Sequence, residues 1–207
     1  MMRPSAPSRS RPPEEAVPPL GRELSGHDVL AITQARATPT EGGPPLLDGL
    51  PPVLAADARL VVLGSFPGVA SLQARAYYAH PRNQFWPLLS AIWGVDLVAA
   101  DDVRRRQTLI ERRVGLWDVY AHCRRQGSLD SAIRDGQLND LGLLRRIAPG
   151  LRAIAHNGGA SAREARLTQA LGVAVHRLPS SSPAHASWSF ERKHQAWAEV
   201  FRLAGVA

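Results

Sequence analysis

The sequence predicts an α/β fold, a three-layer sandwich in which helices flank a central four-stranded parallel sheet. From about residue 59 onward, short apolar runs alternate with longer segments in which apolar residues recur every three or four positions. The runs end in glycine, proline or polar residues, as at Gly64 and Pro67. Strands that alternate with helices form parallel sheets that are covered on both faces.

The first two strands are predicted at residues 59–63 and 114–119. Between them, helical periodicity predicts helices at residues 84–93 and 103–112, and the aspartates at 101–102 can cap the second helix. The alternation then continues. Two further strands are expected at residues 151–155 and 173–178. Three further helices are expected at residues 140–147, 158–171 and 188–203, and Asn139 can cap the first of them.

Residues 1–44 differ in composition from the rest of the chain. They are rich in proline, serine and arginine and have little apolar periodicity, which is typical of disordered segments. A short helix at 27–35 is compatible with the sequence, but glycines and prolines follow it. We therefore expect a disordered extension at 1–44 and one folded domain at 45–207.

The charge distribution indicates a polyanionic partner. The chain has a formal charge of +7, and residues 46–207 hold 20 basic and 13 acidic side chains. All of the 25 basic residues except Lys193 are arginine. A basic globular domain suggests nucleic acid as the partner, although arginine used as an ordinary surface residue explains the same excess.

Composition also disfavours several classes of protein. No apolar run has the length of a membrane span and no secretory signal opens the chain, so we expect a cytoplasmic protein without membrane contact. Cys123 is the only cysteine, which excludes a disulfide framework within one chain. The seven histidines show no metal-ligand spacing, so no metal site is expected.

The predicted strands end in residues that suit a binding site. In parallel α/β sheets, ligands bind at the carboxyl ends of the strands. Here those ends are the segments 64–68, 117–118, 156–159 and 179–183, which supply glycine, proline, serine, amide and carboxylate groups. We expect the four segments to converge on one rim.

One stretch resembles a known family. The sequence GSFPGV at 64–69, followed by YYAHPRNQFW at 77–86, resembles the first motif region of the uracil-DNA glycosylase superfamily, above all its hypoxanthine-DNA (deoxyinosine) glycosylase branch. That branch lacks the catalytic residue of the first turn, as this chain does with Ser65 and Phe66. The resemblance, over residues 49–201, implies a cofactor-free enzyme of base excision repair. Such an enzyme flips deaminated bases out of double- or single-stranded DNA and hydrolyses their N-glycosidic bond, hypoxanthine first and uracil second.

The resemblance implies roles for residues of the first motif region. Asn83 matches an asparagine that is believed to be catalytic, and its amide can orient water near the sugar; alternatively, it only caps the next helix. Tyr78 lies where related enzymes stack an aromatic ring on the extruded base, or is a half-buried loop tyrosine. Gly64, Ser65 and Phe66 would line the base pocket, with backbone N–H groups as donors.

Two residues at other strand ends would complete the pocket. Asp118 replaces an asparagine that contacts the base edge in related enzymes. It can accept the ring N–H of hypoxanthine or uracil, or pair instead with Arg124 or Arg125. Asn157 would line the pocket or cap the following helix.

A loop after the last predicted strand resembles the one that enters the DNA minor groove in this superfamily. Ser180, Ser181 and Ser182 suit phosphate contacts, and Pro183 or Ala184 would be a small wedge in the gap left by the flipped nucleotide. Without the resemblance, the segment is a serine- and proline-rich turn.

Other functions remain compatible with the sequence. The rivals are a mismatch-specific uracil or thymine glycosylase, a DNA-binding protein of this fold without activity, and a nucleotide-binding domain. The last is disfavoured because GSFPG does not match G-x-G-x-x-G. Lys193 is expected to face solvent, which disfavours a Schiff base and strand cleavage. We expect a monomer.

Overall fold

The computed structural model describes residues 44–207. The expectations for the extension, including the helix at 27–35, lie outside the described residues. The strands are β1 (Leu46–Asp48), β2 (Leu60–Gly64), β3 (Val114–Asp118), β4 (Tyr120–Arg124), β5 (Arg134–Leu138), β6 (Ala153–Asn157) and β7 (Ala174–Leu178). The α-helices are α1 (Val69–Ala74), α2 (Phe85–Trp93), α3 (Asp102–Glu111), α4 (Leu143–Ile147), α5 (Ala165–Gln169) and α6 (Phe190–Ala204).

The predicted four-stranded parallel sheet is confirmed, with strand order β3-β2-β6-β7. Its third strand is displaced most, beginning at Ala153 rather than at residue 151. Leu151 still belongs to a turn, because its N–H donates to the carbonyl of Ala148 at 3.0 Å. The strand begins once Arg152 has bonded to the carbonyl of Arg59, at 2.8 Å.

Helices cover both faces of this sheet, as predicted. On one face α2, α3 and α6 contribute Leu88, Leu109 and Trp197 to one buried cluster with β2. On the other face, Leu144 of α4 and Leu63 of β2 belong to a second cluster. Successive strand residues point to opposite faces, so a strand buried on both sides must be apolar throughout, as the sequence of β2 is.

A second sheet, which the sequence did not predict, is antiparallel with strand order β1-β4-β5. All five residues of β5 are exposed, and its sequence RDGQL carries no apolar alternation. Its strand conformation therefore depends on pairing with β4 rather than on burial. β4 begins at Tyr120, two residues after the end of β3 at Asp118. Where the two strands join, the N–H groups of Val119 and Tyr120 donate to the carbonyls of Gly64 and Ser65 at 2.9 and 3.0 Å.

The single helix predicted at 158–171 is wrong. A 3-10 turn, Ser161–Glu164, precedes the short α5. The Ser161 hydroxyl donates to the carbonyl of Leu63 at 2.8 Å and lies 2.8 Å from Nδ1 of the buried His156. These contacts hold Ser161 against the sheet, and the backbone there forms a 3-10 turn instead of the first turn of an α-helix.

Asn139 does not cap α4, contrary to the prediction. Its side-chain amide donates to the carbonyl of Asp118 at 2.8 Å, and α4 begins later, after Gly142. Helix α1 was also not predicted. It has six residues, too few for helical periodicity to be visible in the sequence.

Candidate functional site

A carboxyl group and a phenol meet where β2 and β3 end. Gly64 lies opposite Asp118 in the register of these strands. A Cβ atom on Gly64 would collide with Oδ1 of Asp118 and would lie 3.3 Å from the Tyr78 hydroxyl. Glycine is therefore required here for close approach; we call Gly64, Tyr78 and Asp118 the Asp118 site.

Asp118 is a buried carboxyl group that forms no ion pair with the described residues. It is 4% exposed, and its Oδ2 has no hydrogen-bond partner within residues 44–207. Burial, reinforced by the charge of Asp130, raises the pKa of Asp118 from 3.8 to about 7, against the opposing effect of Arg125. The alternative of an ion pair with Arg124 or Arg125 is wrong: Arg124 pairs with Asp135, and Arg125 bonds to a backbone carbonyl.

Tyr78 has a left-handed backbone, with φ at 53°. One face of its ring stacks on Phe85, with ring centroids 4.0 Å apart and planes inclined by 16°. Its hydroxyl is buried without a partner among the described residues, and burial raises the pKa of Tyr78, so the group stays protonated. Such a backbone costs about 1–3 kcal/mol and persists only where the surrounding packing imposes it.

The first turn offers backbone donors. The Ser65 hydroxyl donates to Asp130, and the guanidinium carbon of Arg125 lies 5.1 Å from the ring centroid of the buried Phe66. Within the described residues, the backbone N–H groups of Ser65 and Phe66 have no acceptor. These two N–H groups are therefore free to donate to a ligand.

Arg125 and Asp130 were not recognised as site residues from the sequence. Arg125 is 3% exposed; it donates to the carbonyl of Pro67, while its Nε and NH1 have no partner in residues 44–207. Both residues lie between β4 and β5, which the sequence did not predict. The sequence therefore offered no signal beyond two charged residues in an unassigned segment.

Asn83 lies in the turn that precedes α2. Its Oδ1 accepts a hydrogen bond from the Phe85 N–H at 2.9 Å, and its own N–H donates to the carbonyl of His80 at 2.8 Å. This bond spans two residues and closes a turn before the helix, whereas the N-cap residue of α2 is Gln84, without a side-chain capping bond; the predicted N-cap role of Asn83 is therefore wrong. The Asn83 side-chain N–H₂ donates to no described residue, so the same amide retains donors for a water molecule.

Four polar residues connect the loop after β7 to the two elements beside it. Oδ1 of Asn157 accepts from the Ser181 N–H and its amide donates to Ser181 Oγ, both at 2.9 Å. The Gln84 N–H donates to the Ser181 carbonyl at 2.9 Å, and Lys193 donates to Gln84 Oε1 at 2.8 Å. We call Gln84, Asn157, Ser181 and Lys193 the Asn157 clamp.

The clamp corrects two predictions. Asn157 caps no helix, because both ends of its amide are bonded to Ser181. Ser181 is fully buried, so it is not available for a phosphate contact. Ser180 and Ser182 are half-buried and accept local backbone N–H groups at 3.2 and 3.3 Å, which leaves their hydroxyl protons for other partners.

Lys193 does not face solvent, contrary to the prediction. It is 2% exposed, and its ammonium donates to Gln84 and to the carbonyl of His185, both at 2.8 Å. Burial lowers the pKa of Lys193. The spacing of four to the buried Trp197 places both on one helix face, a signal that was present in the sequence.

Fold and site together define a class of protein: a three-layer α/β domain with buried polar groups at the carboxyl edge of its parallel sheet. Within residues 44–207 no cluster of three or more His, Cys, Asp or Glu is arranged to hold a metal ion. None of the described helices has the length and hydropathy to cross a bilayer.

Comparison with known proteins assigns the family. Residues 51–202 match the family model described as the uracil DNA glycosylase superfamily, and the chain belongs to this superfamily. Two curated relatives are named hypoxanthine DNA glycosylase, from Methanosarcina barkeri and Methanosarcina acetivorans. Each is 36% identical over 154 residues, which is 74% of this chain and 97% of the relative. A solution NMR structure of a candidate uracil DNA glycosylase from Methanosarcina acetivorans has a TM-score of 0.70 at 35% identity and covers 77% of this chain and 99% of its own.

Proposed function

We propose that this protein is a monofunctional DNA glycosylase that flips hypoxanthine, and less readily uracil, out of DNA and hydrolyses the N-glycosidic bond. The names of the two curated relatives support this reaction. The observation that carries the proposal is Asp118, a buried carboxyl group with a pKa of about 7 and with one oxygen that has no hydrogen-bond partner in residues 44–207.

A protonated Asp118 complements the substrate. A neutral carboxyl group has one donor and one acceptor, which match the C6 carbonyl and the N1–H of hypoxanthine. Uracil has a similar carbonyl and N–H edge, which is why it remains a second substrate. An ionised Asp118 could not donate, and its charge would oppose the negative charge that develops on the departing base.

The other groups of the rim take complementary roles. The face of the Tyr78 ring opposite Phe85 stacks on the base, and the N–H groups of Ser65 and Phe66 donate to it. Asn83 orients the water that attacks the sugar as the bond to the base breaks through an oxocarbenium-like transition state. Ser180 and Ser182 contact phosphates, while Pro183 and Ala184, which are exposed, enter the minor groove.

The chemistry stops at base removal. Schiff-base formation needs an accessible amine, and the ammonium of Lys193 is buried and bonded to Gln84 and His185. The abasic strand should therefore remain intact until it is treated with alkali.

The test uses three duplexes that differ at one position, which carries hypoxanthine, uracil or adenine. Single-turnover reactions are split and analysed with and without alkali. We expect alkali-dependent strand breaks with hypoxanthine, slower breaks with uracil and none with adenine. Absence of breaks in the hypoxanthine duplex, while it still binds the protein, would favour an inactive DNA-binding member of the fold.

A further inference from the structure

A cavity beside the outer strand β7 lies outside the Asp118 site and the Asn157 clamp. Its volume is about 300 Å³, and its lining includes Gly159, Arg163, His176 and Arg177. None of the residues that line it is an aspartate or a glutamate. The cavity therefore combines space with two guanidinium groups and an imidazole; we call it the Arg177 cavity.

The two arginines of this cavity have no partners in the described part of the chain. Both side chains are exposed, and neither forms an ion pair or a side-chain hydrogen bond within residues 44–207. Two nearby carboxyl groups accept hydrogen bonds from hydroxyl groups and form no ion pair with Arg163 or Arg177 among the described residues. Glu164 accepts the hydroxyl of Tyr120 at 3.2 Å, and Asp130, which lines a neighbouring cavity with Arg163, accepts that of Ser65.

Two consecutive glycines join the Arg177 cavity to the loop after β7. A Cβ atom on Gly159 would lie 2.8 Å from NH2 of Arg177, and one on Gly158 would lie 2.8 Å from Cβ of Ser180. The side chains of Arg177 and Ser180 thus lie against adjacent residues of one backbone segment. Since neighbouring Cα atoms are about 3.8 Å apart, the loop lies directly beside the cavity, although Gly158 itself is buried.

We propose that Arg163 and Arg177, with His176, bind a backbone phosphate of the DNA strand outside the flipped nucleotide. This inference rests on the proposed function, because it assigns the DNA a second contact beside the loop. Arginine presents a planar fork of donors that matches two phosphate oxygens, and phosphate contacts set the register of a protein on DNA. A free phosphate group would satisfy the same donors, so the experiment must separate the two sources.

The test compares two double variants that remove equal charge. Arg163→Ala with Arg177→Ala empties the Arg177 cavity of guanidinium groups. Arg59→Ala with Arg152→Ala is the control, because these two lie at the amino edge of the sheet, where Arg152 lowers the pKa of Arg59. Affinity for an undamaged duplex is measured against salt concentration, which makes the test independent of base excision.

Each phosphate contact contributes about 0.9 to the slope of log affinity against log salt. The cavity variant should bind more weakly, with a slope reduced by about 1, while the control keeps the slope of the unchanged protein. Equal changes in both variants would show that only net charge matters and would overturn the proposal. Unchanged affinity in the cavity variant would overturn it as well.

Two further measurements sharpen the result. Gly159→Ala keeps every charge and displaces only the flexible end of Arg177, at a backbone without positive φ, so it should fold normally and weaken duplex binding. Inorganic phosphate, followed through the NMR shift of the Gly159 amide, probes the other source. If phosphate binds and the duplex is indifferent to Arg163 and Arg177, the site serves a free anion and the proposal is wrong. If the duplex result holds but no hypoxanthine is excised, the phosphate site stands and the proposed function fails.

Discussion

The Asp118 site and the Asn157 clamp are both buried and polar, but they differ in how their hydrogen bonds are satisfied. In the clamp, both ends of the Asn157 amide are bonded, and Lys193 makes two bonds. In the Asp118 site, Oδ2 of Asp118 and the hydroxyl of Tyr78 have no partner in residues 44–207. An unsatisfied buried polar group costs about 1–3 kcal/mol, so the fold bears a cost at the Asp118 site that it avoids in the clamp.

The buried polar groups at this edge of the sheet therefore have two different roles. The clamp stabilises the fold: it holds the loop after β7 against α2 and α6. The Asp118 site holds donors and an acceptor ready for a base, at a cost in stability. Substitutions in the clamp should therefore act mainly on stability, and substitutions near the Asp118 site mainly on catalysis.

The largest effect is expected at Asn83. Asn83→Ala should slow single-turnover hypoxanthine excision by about a hundredfold or more, because it removes the group that positions water. Loss of its bond to Phe85 should lower the free energy of unfolding by only about 1 kcal/mol. Asn83→Asp is the control. Aspartate can accept the same hydrogen bond from the Phe85 N–H, but it adds a charge beside the sugar. A near-normal rate in Asn83→Ala, with only a lower Tm, would mean that Asn83 merely shapes the turn.

Asn157→Ala tests the clamp. It leaves two buried polar groups of Ser181 unpaired, so urea denaturation should show a loss of about 3 kcal/mol in the free energy of unfolding. Affinity for DNA should fall with it, because the loop is no longer held. A loss below about 0.5 kcal/mol would contradict the structural role of the clamp.

Tyr78→Phe is the matched change in the Asp118 site. It removes a hydroxyl without a partner in residues 44–207, so Tm should stay the same or rise, while excision slows by about tenfold because the hydroxyl beside Asp118 no longer donates a hydrogen bond to the substrate. A lower Tm with an unchanged excision rate would show that the hydroxyl has a structural partner and would remove the contrast with the clamp.

The smallest effect is expected from the extension. Because the excess positive charge lies in residues 46–207, deletion of residues 1–43 should leave duplex affinity and excision within about twofold of the full chain. The deletion retains Pro44, whose carbonyl accepts from Arg124 at 2.6 Å. A steep loss of binding would place part of the DNA contact in the extension, against the predicted boundary at residue 44.

The parallel sheet could be predicted from the sequence because β2, β3 and most of β6 are buried on both faces and are therefore largely apolar, whereas the edge strand β7 is only partly buried. The antiparallel sheet could not, since β5 is exposed throughout and its partner β4 has only one buried residue. Arg125 and Asp130 lie between these two unpredicted strands, so they were not recognised as site residues, although they bond to Pro67 and Ser65 of the first turn. Asp118, Asn83 and Asn157 could be proposed as site residues because they follow predicted strands or lie in the motif, but the partners of Asn157 depend on tertiary contacts.

The most direct test of the account is the pH dependence of hypoxanthine excision at single turnover. If protonated Asp118 reads the base, the rate should be constant below its pKa of about 7 and fall by up to tenfold per pH unit above it. Asp118→Asn keeps a donor and an acceptor without titrating, so its rate should not fall over this range, and its ratio of hypoxanthine to uracil excision should change. A rate that rises with pH, or a variant that retains the same decline, would contradict the role of Asp118.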